Sequence, residues 1–190
     1  MMILLSSFSK IFITITISFL MLFHSAIGCN NLIQNSCKKA SDGDPNLSYN
    51  FCVASLEEAN SKSHGQSPDH LEQLVLISLN LTISNATNIN STILKLLKDK
   101  RFDKYAKDCL KGCSELYSDA IPTLQEALCA FRSKDFPKAN VEVSSAMDAS
   151  STCEDGFKDK KGEVSPLRKE NDVFFQLNVI SLAFINTLSS

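Results

Sequence analysis

The chain has 190 residues, and its 19 basic and 21 acidic side chains give a net charge of −2 at pH 7. That balance supplies no concentrated basic face of the kind nucleic acid requires. The length fits one domain of ordinary size around a single core.

Residues 1–28 read MMILLSSFSKIFITITISFLMLFHSAIG. Lys10 is the only charge, Ile11 to Phe23 is uncharged and mostly apolar, and Ala26 and Gly28 are small residues at the −3 and −1 places of a cleavage site. The apolar run is about 13 residues, against the about 20 needed to span a bilayer. These features predict a signal peptide over 1–28 and a mature chain over 29–190, with no membrane segment once the leader is removed. Loss of Lys10 takes the charge from −2 to −3. Export places the chain in an oxidising compartment, where cysteines become crosslinks. Seven follow the leader: Cys29, Cys37, Cys52, Cys109, Cys113, Cys129 and Cys153. An odd number leaves at least one unpaired or bonded to another molecule.

Asn30 to Ala40 and Ser48 to Ala59 read as two short helices separated by the turn SDGDPN. They form an N-terminal α-hairpin within 29–67, too short to hold together without a crosslink. Asn60 to Ser67 is a polar loop, and the remainder, 68–190, carries four long helical patterns. Pro68 opens the first at the first-turn place proline tolerates, with a stripe of Val75, Leu79, Ile83, Ala86, Ile93 and Leu97. The second runs from Asp103 to Arg132 on Cys109, Cys113, Leu116, Ala120, Leu124, Ala127 and Phe131, and Pro122 predicts a kink or break in it. SKDFPK is a turn. The third, Phe136 to Phe157, places Phe136, Ala139, Val143, Ala146, Ser150, Cys153 and Phe157 on one face. After the charged loop KDKKGEVSP, the last carries Val173, Leu177, Ile180, Phe184 and Leu188, flanked by Phe174 and Ala183, and is expected to be the most buried. The fold class is therefore all-α, an up-down-up-down four-helix bundle with a disulfide-stapled N-terminal hairpin.

Register narrows the pairing. Cys37 and Cys52 face each other across the hairpin. Antiparallel neighbours meet at residues equidistant from their turn, and the midpoint of Cys113 and Cys153 falls in SKDF. Cys109 with Cys153 fits less well, and Cys109 with Cys129 would need a sharp break at Pro122, because a continuous helix separates them by about 30 Å. Cys109 then reads as a small buried hydrophobe, and Cys129, on the other side of its helix, could pair with Cys29.

Catalytic chemistry is sparse. His64 and His70 are the only histidines after the leader, and both read as solvated. No metal-ligand spacing or glycine-rich phosphate loop occurs, so no cofactor is expected. The acidic neighbours Glu57-Glu58 and Glu154-Asp155 point apart on their helices and read as solvated faces. Four N-x-S/T sequons, at Asn46, Asn80, Asn85 and Asn90, are glycan candidates in a secreted chain. Asn80 and Asn85 fall away from the apolar stripe, and Asn90 falls near it.

NLIQNSCKKA, YNFCVASLEE, CSELYSDA and ANVEVSSAMDASSTCEDGF together resemble the plant invertase and pectin methylesterase inhibitor family over essentially the whole mature chain. KGEVSPLRKEN is similar to its invertase-inhibitor subgroup of plane-tree pollen-allergen type. The resemblance implies a four-helix bundle with an N-terminal hairpin, and disulfides Cys37–Cys52 and Cys113–Cys153, the pairs the register favours. Cys29, Cys109 and Cys129 depart from the shared four. It further implies a non-enzyme, secreted to the cell wall or apoplast or held in the vacuole. Its partner would be a plant acid invertase, or a pectin methylesterase on the same fold, whose cleft it blocks. Candidate contacts are the turn Lys134 to Lys138 and the loop Lys158 to Lys169, both exposed and mixing charge with Phe or Pro. A lipid carrier is the rival from another class; its hollow core fits poorly with an aromatic-rich last helix.

Overall fold

The structure, a computed structural model, describes residues 32–62, 68–160, 162 and 164–189. The leader 1–28, Cys29 and His64 lie outside the described residues. Helix α1 covers 32–43 and α2 Tyr49–Lys62. The long helices are α3, Leu71–Leu96, α4, Lys104–Arg132, α5, Phe136–Lys158, and α6, Arg168–Ser189. Each of the four packs on its two neighbours in a closed ring, α3–α4–α5–α6 and back to α3, as successive antiparallel rods joined by short turns must. Two bundle ends result. One holds the α4–α5 turn beside the start of α3, and the other holds the α3–α4 and α5–α6 connections.

The apolar stripes face inward. Val75, Leu79, Ala86, Ile93, Leu124, Ala127, Val143, Cys153, Phe157, Ile180 and Phe184 are all buried. At the centre the Tyr117 ring meets Phe174 edge-on, with centroids 5.1 Å apart, linking the diagonal pair α4 and α6. α6 is long and apolar enough to cross a membrane by composition, so the sequence reading understated it. Its inner face packs in the bundle, and its buried Asn171, Gln176 and Ser181 are hydrogen-bonded across to other helices or the hairpin turn.

The hairpin docks by burying Ile33, Cys37, Ala40, Leu47, Cys52 and Leu56 in the same core. A disulfide joins Cys37 to Cys52, with Cα atoms 5.7 Å apart, and Ser48 N–H donates to Gln176 Oε1 of α6 at 3.1 Å. A second disulfide joins Cys113 of α4 to Cys153 of α5, with Cα atoms 4.9 Å apart.

The helices depart from expectation at several points. α1 continues through residues 41–43, the first half of the segment whose composition predicts a turn. α2 runs on to Lys62, into the segment that composition reads as a polar loop from Asn60. α3 begins at Leu71 with His70 as its cap, so Pro68 precedes the helix and does not occupy its first turn. α4 runs unbroken through Pro122. Pro122 is solvent-exposed, so the Ser118 carbonyl it leaves unpaired can be hydrated, while the inner face of α4 stays packed on both neighbours.

Candidate functional site

The α4–α5 turn is built by local rules. After the last turn of α4, Lys134 N–H donates to Phe131 O and Asp135 N–H donates to Ala130 O, both at 2.9 Å. This is the Schellman pattern that closes a helix C-terminus. It requires a left-handed residue at its centre, usually glycine. Here Lys134 takes that place with φ 64°. Asp135 then caps α5, accepting from Lys138 N–H at 3.1 Å, with Pro137 in the first turn. Phe136 lies half-buried against Phe131, centroids 5.4 Å apart. The Lys134 ammonium sits 5.8 Å from the Phe136 ring and 3.8 Å from Glu72 of α3, and Lys138 lies 3.5 Å from Glu126.

The product is a rigid knuckle: a half-buried aromatic ring, a proline, and the exposed cations Arg132, Lys134 and Lys138 around it. Within the turn Asp135 is the one acid, its carboxylate turned to the helix cap, and Glu72 and Glu126 flank Lys134 and Lys138 from α3 and α4. Sequence reasoning picked out Lys134 to Lys138 for its mixture of charge and aromatic. It missed the left-handed lysine, because no glycine marks the end of α4.

At the opposite end, Asp103 caps α4 by accepting from Ala106 N–H at 2.8 Å, and it receives Lys160 Nζ at 2.8 Å. These two contacts, the cap first, hold its carboxyl below the ordinary range. Lys160 also lies 4.9 Å over the Tyr105 ring, whose hydroxyl donates to Gly156 O. Arg101 grips Asp99 through Nε and Nη2, and the Asp99 carboxyl is held down at about 2. Of the candidate loop Lys158 to Lys169, residues 161 and 163 lie outside the described residues. Lys158, Val164, Ser165 and Arg168 border a cleft of about 410 Å³ between α5 and α6, and Ser165 and Leu167 are buried, so the loop is not exposed throughout.

Beneath that cleft runs a chain of hydrogen bonds that sequence reading did not find. Tyr117 hydroxyl donates to Asn171 Oδ1 at 2.6 Å, and Asn171 Nδ2 donates to Glu154 Oε1 at 2.6 Å. Three helices are tied at one point. Burial pushes the Tyr117 phenol far up, with the charges of Glu154 and Glu170 adding to the effect. Glu154 is therefore half-buried and engaged, which corrects its reading as a solvated acid. Asp155 and Glu58 do face solvent, paired with Lys158 and Lys62.

His70 is exposed beside Asp69. Cys109 is half-buried, its thiol donating to Gly156 O at 3.3 Å, so it is less enclosed than a core hydrophobe; Cys129 is exposed. Among the described residues no group of three or more metal-ligating side chains occurs. Asn46 and Asn80 are exposed, whereas Asn85 and Asn90 are half-buried.

The family model described as plant invertase/pectin methylesterase inhibitor matches residues 31–184. A Platanus acerifolia protein named "Putative invertase inhibitor" is 44% identical over 90% of this chain and 93% of its own. Pectinesterase inhibitor 12 of Arabidopsis thaliana is 37% identical over 83% of this chain and 87% of its own. A crystal structure of a mutant pectin methylesterase inhibitor from Arabidopsis superposes with a TM-score of 0.63 at 26% identity, covering 79% of this chain and 92% of that one.

Proposed function

The chain belongs to the plant invertase/pectin methylesterase inhibitor family, and from that premise we propose that it is a secreted protein that binds a plant acid invertase and occludes its active site. It performs no reaction of its own. The observation that carries the choice of target is the 44% identity to the Platanus protein named for invertase, against 37% to the relative named for pectinesterase.

The geometry supports obstruction as the mechanism. Acid invertases are retaining glycosidases, whose cleft holds two carboxylates and must stay open to sugar. The α4–α5 knuckle offers Arg132, Lys134 and Lys138 around Phe136 and Pro137. Cations meeting a carboxylate-lined mouth steer association and fix register, while the ring and proline supply apolar contact. The knuckle stands on two capped helices joined by a disulfide near their far ends, so little freedom is lost on docking. The apoplast or cell wall is the compartment this reading implies, with the vacuole as the other acidic site where such enzymes act.

Pectin methylesterase is the second reading, favoured by the Arabidopsis relative and the solved structures. Titrating the purified, oxidised protein against each enzyme at mildly acidic pH decides between them. Stoichiometric loss of invertase activity with pectin methylesterase spared is the expected result. The reverse selects the second reading. Full activity of both enzymes at micromolar protein overturns the inhibitor assignment.

A further inference from the structure

Among the four sequons, the fold separates two positions that can carry a sugar from two that cannot. We infer that the exported protein carries N-linked glycans at Asn46 and Asn80 and none at Asn85 or Asn90; this rests on the reading of the chain as secreted.

Transfer forms the bond between the sugar C1 and the asparagine Nδ2. It breaks the C1–oxygen bond of a lipid-pyrophosphate-linked oligosaccharide and releases the pyrophosphate lipid with the amide proton. The product is a secondary amide, planar like a peptide, and its extended form places C1 on the same side as Oδ1. The space around Oδ1 therefore decides whether a sugar fits, and the one hydrogen left on Nδ2 can still be donated.

Asn46 lies in the exposed turn between α1 and α2. Its backbone N–H and its Nδ2 both donate to Asp44 Oδ1, at 2.8 and 3.0 Å. Asn80 is exposed on α3, and its Nδ2 donates to Leu76 O of its own helix at 2.7 Å. Among the described residues neither amide oxygen accepts a hydrogen bond, and each Nδ2 keeps one hydrogen after transfer.

Asn85 Oδ1 is shut off from solvent and has no partner, so a C1 beside it would be driven into the packed surface of α3. Asn90 is clamped across to α4. Ser114 Oγ donates to its Oδ1 at 3.0 Å, and its Nδ2 donates to Ser118 Oγ at 3.2 Å. A sugar at Asn90 would occupy the place of Ser114 and break both of these α3–α4 hydrogen bonds. Sugars are transferred to the nascent chain before these helices pack, so the fold acts as a filter. A chain modified at Asn90 loses its clamp and drops out of the folded, exported pool.

The test is glycopeptide mapping of the full chain secreted by a eukaryotic cell line. Expected is occupancy at Asn46 and Asn80 alone, with a two-step mobility shift on deglycosylation. Asn46→Gln and Asn80→Gln each remove one step, and Asn85→Gln removes none. Sugar found at Asn85 or Asn90, or an empty Asn46 or Asn80 in a secreted, leader-processed chain, overturns the inference while leaving export intact. A chain retained in the cell with residues 1–28 still attached and no sugar overturns export, and the glycans with it. Mapping of the natural chain reads Asn90 directly, so the result does not depend on an Asn90 variant folding.

Discussion

Lys134 holds a left-handed backbone, φ 64°, at the place where a helix-ending motif ordinarily has glycine. A side chain with a Cβ costs about 1–2 kcal/mol there relative to its usual conformation. Lys134→Gly should therefore raise the unfolding free energy by about 1 kcal/mol, less a small offset from the unfolded chain's added entropy. Lys134→Ala keeps the Cβ and should leave stability within about 0.5 kcal/mol of the natural protein, since exposed pairs such as Lys134–Glu72 contribute little. If the knuckle docks on the enzyme, both substitutions weaken inhibition while only one changes stability. Denaturant unfolding beside an inhibition titration separates the two effects. Tyr117 sits at the other extreme of burial. Removing its hydroxyl in Tyr117→Phe leaves Asn171 Oδ1 buried without its donor, at a cost of about 1–3 kcal/mol. Its raised folded pKa means that stability is complete below the unfolded value of about 10 and is lost as pH rises above it. In the natural protein, alkaline loss of helical circular dichroism should coincide with a step in phenolate absorbance, and Tyr117→Phe should shrink that step, with the other two tyrosines still contributing.

Between elements, the two disulfides act on loops of different size. The sequence separations are 15 for Cys37–Cys52 and 40 for Cys113–Cys153, worth about 3 and about 4 kcal/mol in the chain-entropy account. Cys113→Ser with Cys153→Ser should lower the unfolding free energy by about 4 kcal/mol and leave helix content intact at low denaturant. Equal costs for the two pairs would count against the loop-size account. The register that brings Cys113 to Cys153 was legible because α4 and α5 are straight rods with one short turn, so distance from the turn sets the contact. The α5 stripe was legible for the same reason, and Ala139, Val143, Ala146, Ser150, Cys153 and Phe157 are all buried. On α3 the stripe was incomplete. Ser78 and Thr82 are fully buried but are polar letters, and their hydroxyls bond carbonyls of their own helix at Val75 and Ser78. Glu154 reads as solvated and Asn171 goes unremarked in the sequence because their partners come from different helices, and no spacing within one helix records such a meeting. Asn85 sits closer to the packed face than its wheel position suggested, leaving an orphan oxygen that no sequence pattern reveals.

For the molecule as a whole, acid tolerance follows from where its carboxylates lie. Asp99, Asp103, Asp108 and Glu58 all have folded pKa values below their ordinary ones, each held by a neighbouring cation or cap. A depressed carboxyl contributes stability that is complete above its unfolded pKa, about 4, and is lost as pH falls through the folded value, about 2 for Asp99. Stability should therefore be level from neutral pH down to about pH 5, the range of an acidic cell wall, and decline only below about pH 4. The decline should be shallow, because these pairs are solvent-exposed and the two crosslinks carry no protons. Thermal unfolding followed across that range checks the shape, and a steep drop already at about pH 5 would show an acid-sensitive group that these pairs do not account for. A level curve has a consequence for binding. With the fold intact throughout, a change of inhibition between about pH 5 and 7 reports on the docked surfaces and not on unfolding of the inhibitor. Lys134→Ala should then lower affinity at both ends of the range with the inhibitor still folded, measured by titration against invertase; unchanged affinity at both ends would remove Lys134 from the docking surface.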